Sequence, residues 1–167
     1  MSRLAIKIIT DTSGFKKMFN NNLELWAQGT QKAFTGAGLA IMRDIGERFE
    51  GEGMPPQRWQ PLSPTTILRR RKGKGKGRPK ILQDTGHLKR SFMFGGPDNV
   101  FDVSPLHVTV GSKVPYAGIH QFGGMAGKGR KVHIPARPMV RKPEEVPQLK
   151  EEIEEIFGAV MLRYIVK

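Results

Sequence analysis

The sequence contains no cysteine, which excludes a disulfide framework and a zinc site with thiolate ligands. The absence also fits a protein that matures in a reducing cytoplasm. No apolar run approaches the about 20 residues that a transmembrane helix needs, and the first residues, MSRLAIKIITDTSG, lack the small-residue cleavage site of a secretory signal. The sequence therefore predicts a soluble protein made in the cytoplasm, with no membrane partner.

Acidic residues are few beside basic ones. The 167-residue chain has 28 Lys and Arg against 15 Asp and Glu, a formal net charge of +13, which favours at first a nucleic-acid or membrane-surface partner. More than half of this net charge lies in residues 69–80, RRRKGKGKGRPK, which contain no acid. The length predicts one domain over residues 1–167, in which this segment forms a flexible basic loop.

The basic loop has a direct physical consequence, because its charges would release counterions from DNA or bind an acidic protein surface. It contains no aromatic residue for base stacking, so any DNA contact would be electrostatic and independent of sequence. The alternative is a solvated, partly disordered loop that contributes only to solubility. The candidate contact residues are Arg69, Arg70, Arg71, Lys72, Lys74, Lys76, Arg78 and Lys80.

Two long helices are predicted from apolar periodicity. Apolar residues recur three, four or seven positions apart from Leu23 to Phe49, which places them on one helical face, and Gly51 marks the end. A similar face from Leu149 to Tyr164 predicts a helix that closes the chain.

Shorter helices are predicted from their caps. Ser63 precedes Pro64, the pattern of an N-cap with proline at the first helical position, which predicts a helix to about Arg71. Asp84 or Thr85 is expected to cap another brief helix that runs through Leu88.

Strands are predicted by apolar alternation between turn residues. Residues 4–8 form the first candidate, and residues 90–94, 99–103 and 106–111 are expected to form an antiparallel meander. Residues 132–138, VHIPARP, supply one more strand, which its prolines confine to an edge or an end.

Asp84-Thr85-Gly86 is the tripeptide of aspartic proteases, in which two such carboxylates share a proton, so one copy could serve a homodimer. Gln83 intervenes after the preceding apolar pair, polar His87 follows, and no glycine-backed apolar strand lies downstream. The more economical interpretation is a helix cap.

The other candidate sites are weaker. GGMAGKGR, residues 123–130, resembles a phosphate loop, but Phe122 stands where the first glycine is needed and Gly129 where a Ser or Thr is needed, so it is rejected in favour of a flexible glycine-rich loop over about residues 123–131. The four histidines fall in separate predicted elements without metal-ligand spacing. No catalytic residue, metal or cofactor is therefore predicted.

YAGIHQFGG, residues 116–124, places His120 four residues after Tyr116, so the two rings could stack on one helical turn. The histidine could be a base, a metal ligand, or part of a turn in which Tyr116, Ile119 and Phe122 pack inward.

Four segments in a fixed order look like the signature of the phage virion morphogenesis family. They are WQPLSPTT at residues 59–66, ILQDTGHLKRS at residues 81–91, YAGIHQFGG at residues 116–124 and IPARP at residues 134–138. The resemblance is strong over about residues 49–141, and it covers the flanking helices only by pattern. The family comprises tail-completion or head-to-tail joining proteins of tailed bacteriophages and prophages.

The resemblance implies an α+β fold, in which a small antiparallel β-sheet packs against the long helix of the N-terminal half and a C-terminal helix follows. It also implies that the motif residues are structural or lie at interfaces and that the protein is not an enzyme. Those residues are Trp59, Leu62, Thr65, Thr85, Gly86, Leu88, Tyr116, His120, Gln121, Phe122, Gly123, Pro135, Arg137 and Pro138.

The main hypothesis is a non-enzymatic protein that completes the tail and joins it to the head as a ring at the neck of the virion, after assembly in the host cytoplasm. The expected partners are further copies of itself, with sixfold symmetry implied by analogy, other neck and tail proteins, and packaged DNA through the basic loop. The alternatives are a small basic nucleic-acid-binding protein and an aspartic protease dimer.

Overall fold

A computed structural model describes residues 4–9, 23–55, 57–71 and 79–165. In chain order, its elements are β1 (Leu4–Ile9), α1 (Leu23–Glu50), β2 (Gly53–Met54), β3 (Gln57–Arg58), α2 (Pro64–Arg71), α3 (His87–Arg90), β4 (Asn99–Ser104), β5 (His107–Ser112), α4 (Ala117–Phe122), β6 (Gly124–Ala126), β7 (Val132–Ile134) and α5 (Pro147–Ile165). Single turns of 3₁₀ helix lie at Lys128–Arg130 and Pro143–Glu145.

The predicted long helix is confirmed as α1, which provides the central part of the core. Phe34, Ala37, Ile41 and Ile45 share one face and are almost completely buried. α5 packs along α1 as the second predicted long helix, and the Phe34 and Phe157 rings meet edge to face with centroids 5.0 Å apart. Burial of this shared apolar face stabilises both helices more than their intrinsic propensity does.

A three-stranded antiparallel sheet, ordered β1-β5-β4, lies against α1. The buried side of β5 carries Val108 and Val110. Gly38 allows close approach, because a Cβ at this position would lie 2.7 Å from Phe101 and 2.8 Å from Val108. The predicted strands at residues 4–8, 99–103 and 106–111 are confirmed, and together with α1 and α5 they form the predicted α+β fold.

The strand predicted at residues 90–94 is wrong. Ser91 continues the turns of α3, because its amide donates to the His87 carbonyl and its hydroxyl donates to the Leu88 carbonyl. Further turns follow, from the Met93 amide to the Arg90 carbonyl and from the Gly96 amide to the Met93 carbonyl. Phe92 and Phe94 would share one face of a strand, but Phe92 is buried in the core and Phe94 is exposed. The third strand of the sheet is β1 instead, paired from Leu4 opposite Ser112 to Ile9 opposite His107.

The predicted caps are borne out for α2 and partly for α3. The Ser63 hydroxyl accepts a hydrogen bond from the Thr66 amide at 3.3 Å, as an N-cap should. α3 instead begins after Gly86, which has a left-handed φ of 72° and no side chain to cap with, while the Thr85 hydroxyl accepts from the His87 amide. The helix extends beyond Leu88 to Arg90.

The segment predicted to be a glycine-rich loop contains a strand and a turn. β6 pairs antiparallel with β7, the strand predicted within residues 132–138, and the 3₁₀ turn Lys128–Arg130 connects them. In the described parts of the chain, no helix is long and apolar enough to cross a membrane.

Candidate functional site

The first and fourth motif segments meet at Trp59. Its indole Nε1 donates a hydrogen bond to the Pro138 carbonyl at 3.0 Å. The ring is buried and packs edge to face on Phe49 at the end of α1, with centroids 5.5 Å apart. A buried indole N–H needs such a partner, so the tryptophan holds the chain of IPARP against the end of the long helix.

Arg137 makes a second connection between the same segments. Its side chain is buried, with 6% of its surface exposed, and it donates to the carbonyls of Gln60 and Pro61 at 3.1 and 3.4 Å. Its own amide donates to the His120 carbonyl at 2.7 Å, which adds the third motif segment. Burial lowers the pKa of the Arg137 guanidinium, and the charge of Arg70 lowers it further.

Gln121 binds the chain that follows IPARP as a neighbouring strand would. Its Oε1 accepts from the amides of Met139 and Val140 at 2.8 and 3.0 Å, and its Nε2 donates to the Val140 carbonyl at 2.6 Å. Residues 139–140 belong to no sheet, so this one side chain satisfies backbone groups that would otherwise lose their partners on burial.

Gly123 ends α4 in a conformation that other residues rarely adopt. Its φ of 73° and ψ of −178° lie in a region populated essentially by glycine alone. A Cβ there would also lie 2.9 Å from the amide nitrogen of Ala136. Glycine at this position therefore allows YAGIHQFGG to turn sharply from α4 into β6 beside IPARP.

The second and third motif segments line a cleft of about 240 Å³ together with the start of the basic loop. Tyr116 and His120 meet edge to face there, with ring centroids 6.0 Å apart. Burial lowers the pKa of His120, and the charges of Arg137 and Arg70 lower it further. The lining residues are Arg70, Leu82, Asp84, Thr85, Gly86, His87, Leu88, Tyr116 and His120.

Asp84, the acid of the protease-like tripeptide, lies at the surface of this cleft. Its side chain is about half exposed, and its Oδ1 is 4.0 Å from the Arg70 Nε. The carboxylate therefore faces a cation in the turn that leads into α3, and the N-cap of α3 is Gly86.

Ser104, His107 and Asp102 stand near one another at the β4–β5 hairpin, in a combination used by hydrolases. The Ser104 hydroxyl lies 2.8 Å from His107 Nδ1, and Asp102 is 3.8 Å from His107 Nε2. The serine oxygen also accepts from the amides of Leu106 and His107 at 3.2 Å. Both contacts close the hairpin turn, as serine hydroxyls commonly do, and Asp102 is too distant to orient the imidazole by a hydrogen bond.

The basic loop is described at its two ends. Arg69 is exposed, whereas Arg70 donates to the Lys80 carbonyl at 3.0 Å. The Lys80 Nζ lies 2.6 Å from Glu50 Oε2, and hydrogen bonds from Lys80 and Lys89 lower the pKa of Glu50 to about 2. Two of the eight predicted contact residues are thus engaged within the chain. Those outside the described residues are Lys72, Lys74, Lys76 and Arg78, and the description of Arg71 covers its backbone alone.

The chain matches the phage virion morphogenesis family over residues 10–161. It belongs to that family. Its known relatives include the Mu-like prophage FluMu G protein 2 of Haemophilus influenzae, which is 53% identical over 49 residues. That alignment covers 29% of this chain and 36% of the relative, so the chain spans about a third of the length of the curated relative it matches. No solved structure matches the chain.

The remaining motif residues of this virion morphogenesis protein divide between core and surface. Leu88 is buried, Leu62 packs against the core, and Thr65 is exposed in the first turn of α2. Tyr116 and Phe122 are exposed at 44% and 73%. The alternative in which both rings pack inward therefore does not hold.

The sequence interpretation of this virion morphogenesis protein missed a buried ion pair inside α1. Asp44 and Arg48 are linked by two hydrogen bonds of 2.8 and 2.9 Å, and both are buried. Burial lowers the pKa of the nearby Arg141, and the charge of Arg48 lowers it further. The spacing of four residues within a helix would have suggested the pair, but it cannot distinguish a buried pair from an exposed one. Among the described residues, no group of three or more His, Cys, Asp or Glu could hold a metal ion.

Proposed function

We propose that this virion morphogenesis protein is a non-enzymatic structural component that completes the phage tail and joins it to the filled head. In the virion it forms a ring of identical copies at the neck. The protein is in the host cytoplasm while the virion is assembled. Membership of the family supports the assembly role, and the prophage relative supports the viral context.

The proposal that the protein is not an enzyme rests on the hydrogen-bond partners of the polar motif residues. Trp59, Gln121 and Arg137 direct their side-chain donors and acceptors to backbone groups of the same chain. Each bond joins segments that are far apart in sequence, which is the use expected of residues that maintain a shape. A catalytic group would instead present its polar atom to a substrate.

The ring places a basic protein around or beside DNA, and the basic loop is the proposed DNA contact. Arg69 is exposed at its first position, while Arg70 and Lys80 are held by internal contacts. Contact with phosphate would weaken steeply as salt is added, because each neutralised phosphate releases counterions.

The test is electron microscopy of an induced lysate from a prophage that lacks this gene, with a complemented control. Full heads beside unjoined tails, or tails of uncontrolled length, are expected without the protein, and complementation should restore joined virions. Normal virions without the gene would overturn the proposal.

Complementing variants separate structure from catalysis. Asp84→Asn and Ser104→Ala should both restore joined virions, since neither residue has a catalytic role in the proposal. Failure of either variant to complement, although it accumulates and unfolds like the unchanged protein, would instead favour an enzyme.

The basic loop has its own pair of variants. Replacement of its eight basic residues with Gln should reduce joining, whereas conversion of its lysines to Arg keeps the charge and should preserve joining. Equal infectivity of both variants would remove DNA contact by the loop from the proposal.

The net charge of +13 favours a second candidate, a small basic protein that binds nucleic acid without sequence preference. This candidate predicts tight binding to free DNA or RNA at physiological salt with a steep salt slope. Joined virions from the deletion lysate together with such binding would favour it over tail completion.

A further inference from the structure

The β6–β7 hairpin exposes large apolar side chains on both of its faces. We call residues 122–134 the hairpin arm. Phe122, Met125 and Val132 are exposed at 73%, 49% and 54%. Met125 pairs with His133 and Ala126 with Val132, so Met125 and Val132 lie on opposite faces. A two-stranded hairpin is marginal in water without a packing partner, so this arm gains stability from any surface that covers it.

All charged side chains of the hairpin arm are basic. Lys128, Arg130 and Lys131 are exposed around its turn, and residues 122–134 contain no acid. None of the three makes an ion pair within the described part of the chain. Its partner should therefore combine negative charge with exposed apolar surface.

The chain carries such a surface on the outer side of α5. We call its residues Glu151, Glu154, Glu155, Gly158 and Leu162 the α5 outer face. All five are exposed, and each lies three or four positions from another of them, so they form one stripe on the side away from buried Ile153. The first part of the stripe is acidic, and the last part is apolar, with Leu162 exposed at 62%.

Gly158 leaves the middle of the α5 outer face without a side chain. An added Cβ at Gly158 would meet nothing within 4 Å, and residue 159 is alanine and exposed. A large ring such as that of Phe122 could therefore approach the helix backbone closely beside Leu162.

Charge complementarity selects a second copy of this chain as the occupant. Six of the chain's 15 acids lie between Glu144 and Glu155, although its net charge is +13. Two copies of so basic a protein repel each other in most orientations. The interaction becomes attractive where the basic hairpin arm of one copy meets the acidic part of the α5 outer face of the other.

We infer that the hairpin arm of one copy docks on the α5 outer face of the next. The contact uses different surfaces on the two copies, so it is heterologous and propagates into a ring if the rotation closes. The inference rests on the proposed function, because it specifies the contact that would build the proposed ring.

The absence of cysteine makes a direct cross-linking test possible. The double variant Met125→Cys with Leu162→Cys is used to complement the deletion prophage, and joined particles are treated with a short thiol-reactive cross-linker. A cross-linker is preferable to a disulfide, which requires Cα atoms within about 7 Å. A ladder of covalent oligomers on a denaturing gel is expected, because each copy links through a different site to each neighbour.

The single variants are the matched controls, since one thiol per copy allows dimers but no ladder. In the negative control, Leu106→Cys takes the place of Met125→Cys and is combined with Leu162→Cys. Leu106 is exposed at 47% beside the β4–β5 turn, outside the hairpin arm, so this pair should give no ladder. A second pair, Met125→Cys with Ala159→Cys, guards against a local effect of the Leu162 substitution and should again give a ladder, because Ala159 is exposed next to Gly158.

Charge reversal tests the physical basis of the contact. Changing Lys128, Arg130 and Lys131 to Glu should abolish the ladder from the double-cysteine variant. Changing Glu151, Glu154 and Glu155 to Lys in that background should restore it, because the attraction is recovered with opposite signs.

Three results would overturn the inference. They are joined particles with no ladder from either cysteine pair, a ladder of equal yield from the Leu106 control, and cross-links to a virion protein of another size. Each leaves tail completion standing if the deletion lysate shows unjoined heads and tails. Normal virions from the deletion would instead refute the proposed function, whatever the cross-linking shows.

Discussion

The indole N–H of Trp59 bonds to the carbonyl of Pro138, 79 residues further along the chain, at 3.0 Å. The first and last motif segments are therefore adjacent in space, although the second and third lie between them in sequence. The contact adds one directed bond to the apolar burial of the ring, and its loss leaves a part-buried carbonyl without a partner.

Trp59→Phe should lower the free energy of unfolding by about 1–3 kcal/mol, because it removes the N–H donor and some packed area while keeping an aromatic ring. Urea unfolding followed by circular dichroism measures the change. Trp26→Phe is the matched control, since Trp26 is buried and its Nε1 has no hydrogen-bond partner among the described residues. An equal or greater loss in the control would show that the Trp59 bond contributes little.

Gly123→Ala should destabilise the protein by about 1–3 kcal/mol, because alanine is strained at a φ of 73° and a ψ of −178°. The close approach of the Ala136 amide adds to this cost. Thermal unfolding of the variant is the measurement. Gly158→Ala provides the contrast, because Gly158 lies in α5 with open space around it and alanine is the better helix former by about 1 kcal/mol. A neutral Gly123→Ala would contradict the described backbone.

His120 should make stability depend on pH in the range just below neutrality. Its folded pKa lies below the ordinary 6.5, chiefly because of burial. The unfolded chain therefore binds more protons between the two pKa values, so the stability contributed by His120 is present above the unfolded pKa and is lost as pH falls through the folded one.

Unfolding free energies measured between about pH 7.5 and pH 5 should accordingly decline less in His120→Gln than in the unchanged protein. His133→Gln is the control, because His133 is exposed in β7, and it should retain the full decline. Parallel pH profiles for the unchanged protein and His120→Gln would rule out His120 as the cause.

Substitution of Arg70 should lower the free energy of unfolding more than substitution of Arg69, although the two are neighbours in the basic loop. Arg70→Gln removes the bond to the Lys80 carbonyl and the charge beside Asp84, and should cost about 0.5–1.5 kcal/mol. Arg69→Gln should stay within about 0.5 kcal/mol, as expected for an exposed residue. Chemical unfolding of both variants compares them. A larger loss for Arg69 would mean that the internal contact of Arg70 does not hold the start of the loop.

The long helices were predictable because a 3.6-residue period of apolar residues is compatible with few structures other than an amphipathic helix. The pattern from Leu23 to Phe49 matches α1 closely. The strand predicted at residues 90–94 is wrong because consecutive turns run through these residues. The turns place Phe92 in the core and Phe94 at the surface, whereas a strand would place both on one face. The Ser91 hydroxyl bonds at once to the Leu88 carbonyl and to the hydroxyl of Ser112 in β5. The second contact depends on a partner 21 residues away, which a local pattern cannot reveal.

The sequence by itself determined the helices, most strands, the concentration of charge in the basic loop and the family to which the ordered motifs belong. These properties depend on local period, composition and order along the chain. Only the tertiary structure decided which motif residues are buried and what each one binds. The family resemblance marks Gln121 as a structural or interface residue, but only the fold shows that it bonds the backbone of residues 139–140. Burial and hydrogen-bond partners are long-range properties, because they depend on which distant segments the packed core brings together.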